Sequence, residues 1–218
     1  MTTQPLPAPS STLPDRRQRN TDHTGTYFTG NKRVFDDAEQ IEVVKIFSGD
    51  WYVTQRDEML ATILGSCVAA CVRDPVAGVG GMNHFLLPGN EGTALLSDAA
   101  RYGVFAMESL INGVLKAGGR RDRLEIKVFG GGNVINNSAR IGSKNAAFIR
   151  SFLQREGLRI ASEDLEGDLP RRVHYWPLTG RVMMRKLRRK DDMMVLDEEK
   201  RYQTAIAAKP IDGSIELF

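Results

Sequence analysis

The chain is expected to fold as an α+β protein, a layered α/β sandwich with largely antiparallel or mixed sheets packed face to face and helices on an outer face. Three observations predict this. Short apolar or alternating runs, each of strand length, dominate the chain. Most of them are separated by brief turns rich in Pro, Gly and Asp, which suits antiparallel neighbours. Only two segments hold a long helical spacing.

The 218 residues are enough for one domain with a substantial core. At 41% hydrophobic and 26% charged residues the composition is that of an ordinary globular protein. The net charge of +3 comes from interleaved bases and acids, which argues against nucleic acid as a partner. No apolar run reaches the roughly 18 residues of a membrane span. Residues 1–20 carry Pro5, Pro7, Pro9 and Pro14 and lack an apolar segment, so they do not read as a signal peptide. Two cysteines fit a reducing compartment, and the expected location is the cytoplasm.

Residues 1–35 read as a disordered tail, 36–190 as the folded domain and 191–218 as a charged C-terminal extension. Order is expected from about Ile41. The stretch "IEVVKIFSGDWYVTQ" reads as strand, Ser-Gly-Asp turn and strand. "MLATIL" (59–64) is a buried strand. "SDAARYGVFAMESLINGVLKAGG" is a helix capped by Ser97 and stopped by Gly118 and Gly119. "LEIKVF" (124–129) alternates as a half-buried strand does. "SKNAAFIRSFLQREG" is a second helix, capped by Ser143, with Phe148, Ile149, Phe152 and Leu153 on its apolar stripe. A strand at 158–162 follows, then a hairpin, "RRVHYWPLTGRVMMRKL", turning at Pro177–Gly180.

The chemistry gathers in "LGSCVAACVRDPVAGVGGMNHFLLP" (64–88), which holds both cysteines. Asp74-Pro75-Val76-Ala77-Gly78 is a turn, so strands 67–73 and 79–86 should pair. If Arg73 pairs with Gly78, Cys67 lies directly opposite His84. Such partners have Cβ atoms about 4.5–5.5 Å apart, within reach of a thiol–imidazole hydrogen bond. A slip of one residue would send them to opposite faces.

A thiolate is a nucleophile, and an imidazolium beside it lowers the thiol pKa and protonates a leaving group. Gly65 and Ser66 allow a tight backbone whose amides could receive an oxyanion. The chemistry calls for no cofactor, and two cysteines with three scattered histidines (His23, His84, His174) give no zinc spacing. Cys71 reads as a small buried hydrophobe, too far along the strand for a disulfide with Cys67. His174, beside Tyr175 and Trp176, reads as structural. The Gly run in "FGGGN" (129–133) lacks the phosphate-loop pattern and reads as a flexible loop or a close backbone approach.

Together with "KVFGGGNV", "IGSKNAAFIRSFLQREGLRIASEDLEG" and "RRVHYWPLTGRVMMRKL", this stretch resembles CheD, the chemoreceptor glutamine deamidase family of bacterial chemotaxis, over roughly 43–187. The resemblance implies hydrolysis of glutamine side chains on the cytoplasmic helices of methyl-accepting chemoreceptors, with Cys67 as nucleophile and His84 as base. It places the family's catalytic threonine at Ala61, whereas the threonine of this chain stands one residue on, at Thr62. It also implies a CheC-type phosphatase as a partner. The alternative function is a non-catalytic chemotaxis adaptor. A papain-like protease would show a different cysteine motif.

Overall fold

The structure is a computed structural model and describes residues 32–87, 93–134 and 140–187. Among them the chain runs β1 (Lys32–Asp36), β2 (Ile41–Lys45), β3 (Trp51–Thr54), β4 (Met59–Leu64), β5 (Val68–Asp74), β6 (Val79–Asn83), α1 (Thr93–Lys116), β7 (Glu125–Gly130), α2 (Ile141–Arg155), β8 (Ile160–Leu165), β9 (Arg171–Trp176) and β10 (Arg181–Lys186). One sheet has the order β1-β2-β4-β9-β10 and the other β3-β6-β5-β7-β8. Each is mixed: β2 and β4 are parallel, as are β7 and β8, and the remaining pairs are antiparallel. Neither helix is long and apolar enough to cross a membrane.

The layers follow from the alternation of β5. Val68, Ala70 and Val72 point outward to Met107, Leu110 and Val114 of α1 and Ile149, Phe152 and Leu153 of α2. Ala69 and Cys71, with Cys67 just before the strand, point inward to Leu60 and Leu64 of β4 and to Val173 and Tyr175 of β9. Side chains of alternate parity therefore feed two cores. Each large aliphatic side chain so buried contributes roughly 2 kcal/mol. A strand covered on both faces reads as a continuous apolar run, which is why "VAACV" shows no polar alternation. The expected sandwich, sheet against sheet with helices outside one of them, is the observed architecture.

Several expectations need correction. The β5–β6 turn sits one residue later than expected, because Asp74 organises it. Its carboxylate accepts from the amides of Val76 (2.8 Å) and Ala77 (3.1 Å), and its carbonyl from Gly78 (3.1 Å). Asp74 thus pairs with Val79, and Arg73 with Gly80 rather than Gly78. Continuing that register sets Cys67 against Leu86, not His84. The pairing moves by two, so the facing of every side chain survives.

The caps differ as well. α1 starts at Thr93, which puts Ser97 inside the helix. α2 starts after Arg140, a left-handed residue (φ 42°), and not at Ser143. Asn133 of the Gly run instead accepts from the Ser143 amide (3.3 Å) and donates to its hydroxyl (3.0 Å). The strand expected at 158–162 is β8, over 160–165. β1 lies within the stretch read as a tail and ahead of Ile41. The readings of residues 1–31, including His23, and of the C-terminal extension 191–218 lie outside the described residues.

β2 and β3 belong to different sheets. The five residues between them, Ile46–Asp50, therefore cross the edge of the sandwich, and they do so where Cys67 and His84 lie.

Candidate active site

Three elements bring the sequence-chosen residues to one end of the sandwich. Thr62 is on the inner face of β4, with Leu60 and Leu64, and is buried; Ala61 points to the other face, toward Val43, Met59 and Trp176. Of the two residues, Thr62 is the one that can meet His84. Cys67 immediately precedes β5 and is fully buried. His84 follows β6 and is 4% exposed.

The backbone around His84 leaves the simple ladder. Ala70 donates its amide to the Asn83 side chain (2.9 Å). His84 donates its amide to the Asp50 carbonyl (2.9 Å) and accepts from the Gly49 amide (2.7 Å). Val68 and Phe85 then exchange a pair of backbone bonds, both 2.9 Å. His84 is thereby one diagonal step from Cys67 on the same inter-sheet face, where Cα atoms are about 7–8 Å apart and long side chains can still meet.

The hydrogen bonds of Thr62 set the tautomer of His84. The hydroxyl has one proton, and the Ile46 carbonyl at 2.7 Å can only accept it. The contact between Thr62 Oγ1 and His84 Nδ1, 2.9 Å, must then run from Nδ1–H to Oγ1. Nε2 is left with the lone pair, and it is the buried side-chain nitrogen or oxygen without a hydrogen-bond partner among the described residues. Burial pushes the imidazole pKa down to about 4, against the pull of the Ile46 carbonyl. At neutral pH His84 is an uncharged base with that lone pair free.

The thiol side is held by the backbone. The carbonyls of Gly65, Ser66 and Cys67 accept in turn from the Gly132 amide (2.8 Å), the Asn145 side chain (2.8 Å) and the Gly131 amide (2.7 Å). Asn145 also accepts from the Leu87 amide (2.9 Å), so one fully buried side chain fixes the turn before Cys67 and the segment after His84. Gly130 has φ +113°, and a Cβ there would overlap the Cys67 carbonyl oxygen. Of the two readings expected for the Gly run, a flexible loop or a close backbone approach, the second is the one observed. Ser48 Oγ lies 3.5 Å from Cys67 Sγ. Tyr102 of α1 also faces this region: burial pushes its hydroxyl pKa up, and negative charge on Cys67 and Asp50 pushes the same way.

Cys71 is different. Burial pushes its thiol well up, only partly offset by Lys127, and it sits among Met82 and Tyr175 as an apolar side chain. Neither cysteine is in a disulfide. His174 is half-buried, edge-on to Trp176 at 6.4 Å and away from the site.

Sequence reasoning missed Ser48, Asp50 and Asn145. Ser48 and Asp50 were read only as turn residues. Asn145 carried a usable signal, because it falls in phase with Ile149, Phe152 and Leu153 on the buried stripe of α2, where an amide needs partners.

A buried thiol one diagonal step from a neutral imidazole of set tautomer, on a backbone pinned at three successive carbonyls, is an arrangement suited to acyl transfer through sulfur. Residues 86–186 match the family model "CheD chemotactic sensory transduction". The chain is 57% identical over 190 residues to a probable chemoreceptor glutamine deamidase CheD of Rhodopseudomonas palustris, covering 86% of this chain and 89% of that protein. Proteins of the same name from Hydrogenovibrio crunogenus and Hahella chejuensis are each 47% identical, over 86% and 81% of this chain and 100% and 85% of theirs. The chain belongs to the CheD family. The family-model match begins beyond Cys67 and His84, whereas these relatives match most of the chain.

Proposed function

We propose that this protein hydrolyses glutamine side-chain amides of chemoreceptors to glutamate, with Cys67 as nucleophile, His84 as general base and acid, and Thr62 as the residue that orients His84. The activity is that named for its CheD relatives. The observation that carries the assignment of residues is the unpartnered, buried Nε2 of a histidine whose Nδ1 is committed to Thr62. Orphaned buried polar atoms are rare and each needs an explanation, and a general base that meets its partner only with substrate bound supplies one here.

The steps follow from a neutral His84. As the substrate carboxamide is attacked, Nε2 takes the Sγ proton and the sulfur bonds to the amide carbon. The oxyanion is received by the backbone around Ser66 and Cys67, held rigid by the bonds from Gly131, Gly132 and Asn145. His84 returns the proton to nitrogen as the C–N bond breaks, and ammonia leaves. Water then attacks the thioester and loses a proton to His84. The C–S bond breaks, and the thiol is restored by that proton. The sum is amide plus water giving acid plus ammonia. The product places a negative charge on a receptor helix where a neutral amide stood, a change that can shift a signalling equilibrium.

We place the protein in the cytoplasm, where the receptor's helices are reached, and assign a CheC-type phosphatase as a further partner, which co-purification tests. The non-catalytic adaptor is not favoured.

The test is peptide mass spectrometry of a chemoreceptor cytoplasmic domain co-expressed with this protein. Wild type is expected to convert specific glutamines to glutamates, while Cys67→Ala and His84→Ala, both folded, convert none. Binding without conversion by wild type would sink the enzyme and restore the adaptor.

A further inference from the structure

We propose that Ser48 is a fourth catalytic residue, whose hydroxyl donates a hydrogen bond to the Cys67 sulfur whenever that sulfur carries negative charge. The inference rests on the deamidase reading and extends its site.

Three observations support it. The Ser48 Oγ to Cys67 Sγ separation of 3.5 Å is a hydrogen-bonding distance for sulfur. A thiolate has no proton to give, so in that state only the serine can donate. The turn that carries Ser48 is also the turn that holds the rest of the site: Ile46 accepts from Thr62, Gly49 donates to the His84 carbonyl, and Asp50 accepts from the His84 amide. Ser48 and His84 therefore cannot drift independently. The turn also reaches the surface. Ser48 is half-buried and its neighbours Phe47 and Gly49 are exposed, whereas Cys67 is fully buried. Ser48 is thus a polar contact between the enclosed sulfur and the protein surface.

The hydrogen bond would act twice. It favours transfer of the thiol proton to His84 as the sulfur attacks, and it favours departure of the sulfur when water opens the thioester. No atom is transferred to or from Ser48 in either step.

The measurement is the rate of Cys67 alkylation by iodoacetamide against pH on the full chain, read by peptide mass spectrometry. Ser48→Thr keeps the hydroxyl, and Ser48→Val is its isostere without one, so a fold defect common to both is separated from loss of the hydroxyl. Tyr102 of α1 is coupled electrostatically to the sulfur, His84 lies one diagonal step from it and Asp50 is in the same turn as Ser48, and all three are unchanged across the series. In Ser48→Val the alkylation curve is expected to move about one pH unit upward and to meet wild type at high pH, while Ser48→Thr overlays wild type. Deamidation by Ser48→Val is expected to fall about tenfold in kcat near neutral pH, with KM little changed. Superimposed curves, or a slowing by one factor at every pH, would overturn the assignment. Failure of wild type to deamidate any receptor glutamine would defeat the enzymatic reading instead, and the alkylation curves would still decide whether Ser48 serves the sulfur.

Discussion

The two ends of the β5–β6 hairpin each bury an ionisable side chain, and they treat it in opposite ways. At the turn, Asp74 is fully enclosed and heavily partnered. It accepts from Val76 and Ala77, from the Arg120 amide at 2.8 Å and from the Arg123 guanidinium at 2.6 and 2.9 Å. Burial opposes its charge, but the bonds from Ala77, Arg120 and Arg123 outweigh burial and hold the carboxyl at about 2. At the open end, His84 is as deeply buried, yet Nε2 has no partner, and burial suppresses its charge. A carboxylate met by donors on every side has a structural job already complete. An imidazole with one nitrogen committed and the other idle is stable only because it stays neutral, and that idle lone pair is a reagent.

The contrast is tested most severely by exchanging the defects. Cys67→Ala is expected to cost at least a thousandfold in deamidation with little change in stability. Asp74→Ala is expected to do the reverse. It leaves Arg123 and three amides without their acceptor, at roughly 3 kcal/mol of unfolding free energy, while the folded fraction keeps its activity. Urea denaturation and the mass-spectrometric assay, run on both variants, separate the two. An inactive but fully stable Asp74→Ala protein would erase the distinction.

Titration sharpens it. The His84 pKa is about 4 when folded, below the ordinary histidine value of 6.5. The unfolded chain therefore binds the extra proton between those values, and stability rises with pH across that window. The contribution is complete above about 6.5 and is lost as pH falls toward 4, on the order of 3 kcal/mol in all. Asp74, being depressed, loses its contribution only at lower pH, from about 4 downward. Subtracting the stability profile of His84→Gln from that of wild type should isolate the first window. Parallel profiles would mean that His84 is not held neutral.

A smaller effect is expected from Thr62→Val, which keeps shape but leaves Nδ1 without its acceptor. Loss of the set tautomer should lower kcat by about tenfold and leave KM nearly unchanged, measured on a receptor peptide. A variant with unchanged kcat would show that Thr62 serves the Ile46 carbonyl alone.

Much of this was legible in the chain. Strand periods and turn residues are local, so β4, β5, β6, β7 and the β9–β10 hairpin could be read, and parity alone placed Cys67 and His84 on one face. The exact register could not, because it depended on which residue closed the turn. Asp74 decides that with a side chain that also answers Arg120 and Arg123, both remote in sequence. The caps failed for the same reason. Ser143 looked like a local cap, but Asn133 caps α2 from another element. Thr62 could be named but not oriented, since its facing depends on β4 pairing with β2 and β9. Asn145 could be flagged by its place on the buried stripe of α2 but not given a partner, and Ser48 was unreadable, because each acts on a group brought near only by the tertiary fold.

The two cysteines provide the finest version of the comparison, because they share a face and differ only in position along it. Cys71 lies among Met82, Tyr175 and Leu60, with burial resisting its ionisation and Lys127 only partly offsetting it. Cys67 sits at the end of the strand, where the backbone is pinned and Ser48 reaches the sulfur. Replacing Cys71 by Ala removes one sulfur atom from a packed layer. The expected cost is about 1 kcal/mol, seen as a small drop in the denaturation midpoint, with deamidation unchanged once the folded fraction is counted. The same side chain four positions apart would then be filler in one place and nucleophile in the other. Should Cys71→Ala abolish deamidation while Cys67→Ala retains it, the nucleophile belongs to the interior of the strand, and the idle nitrogen of His84 would need another explanation.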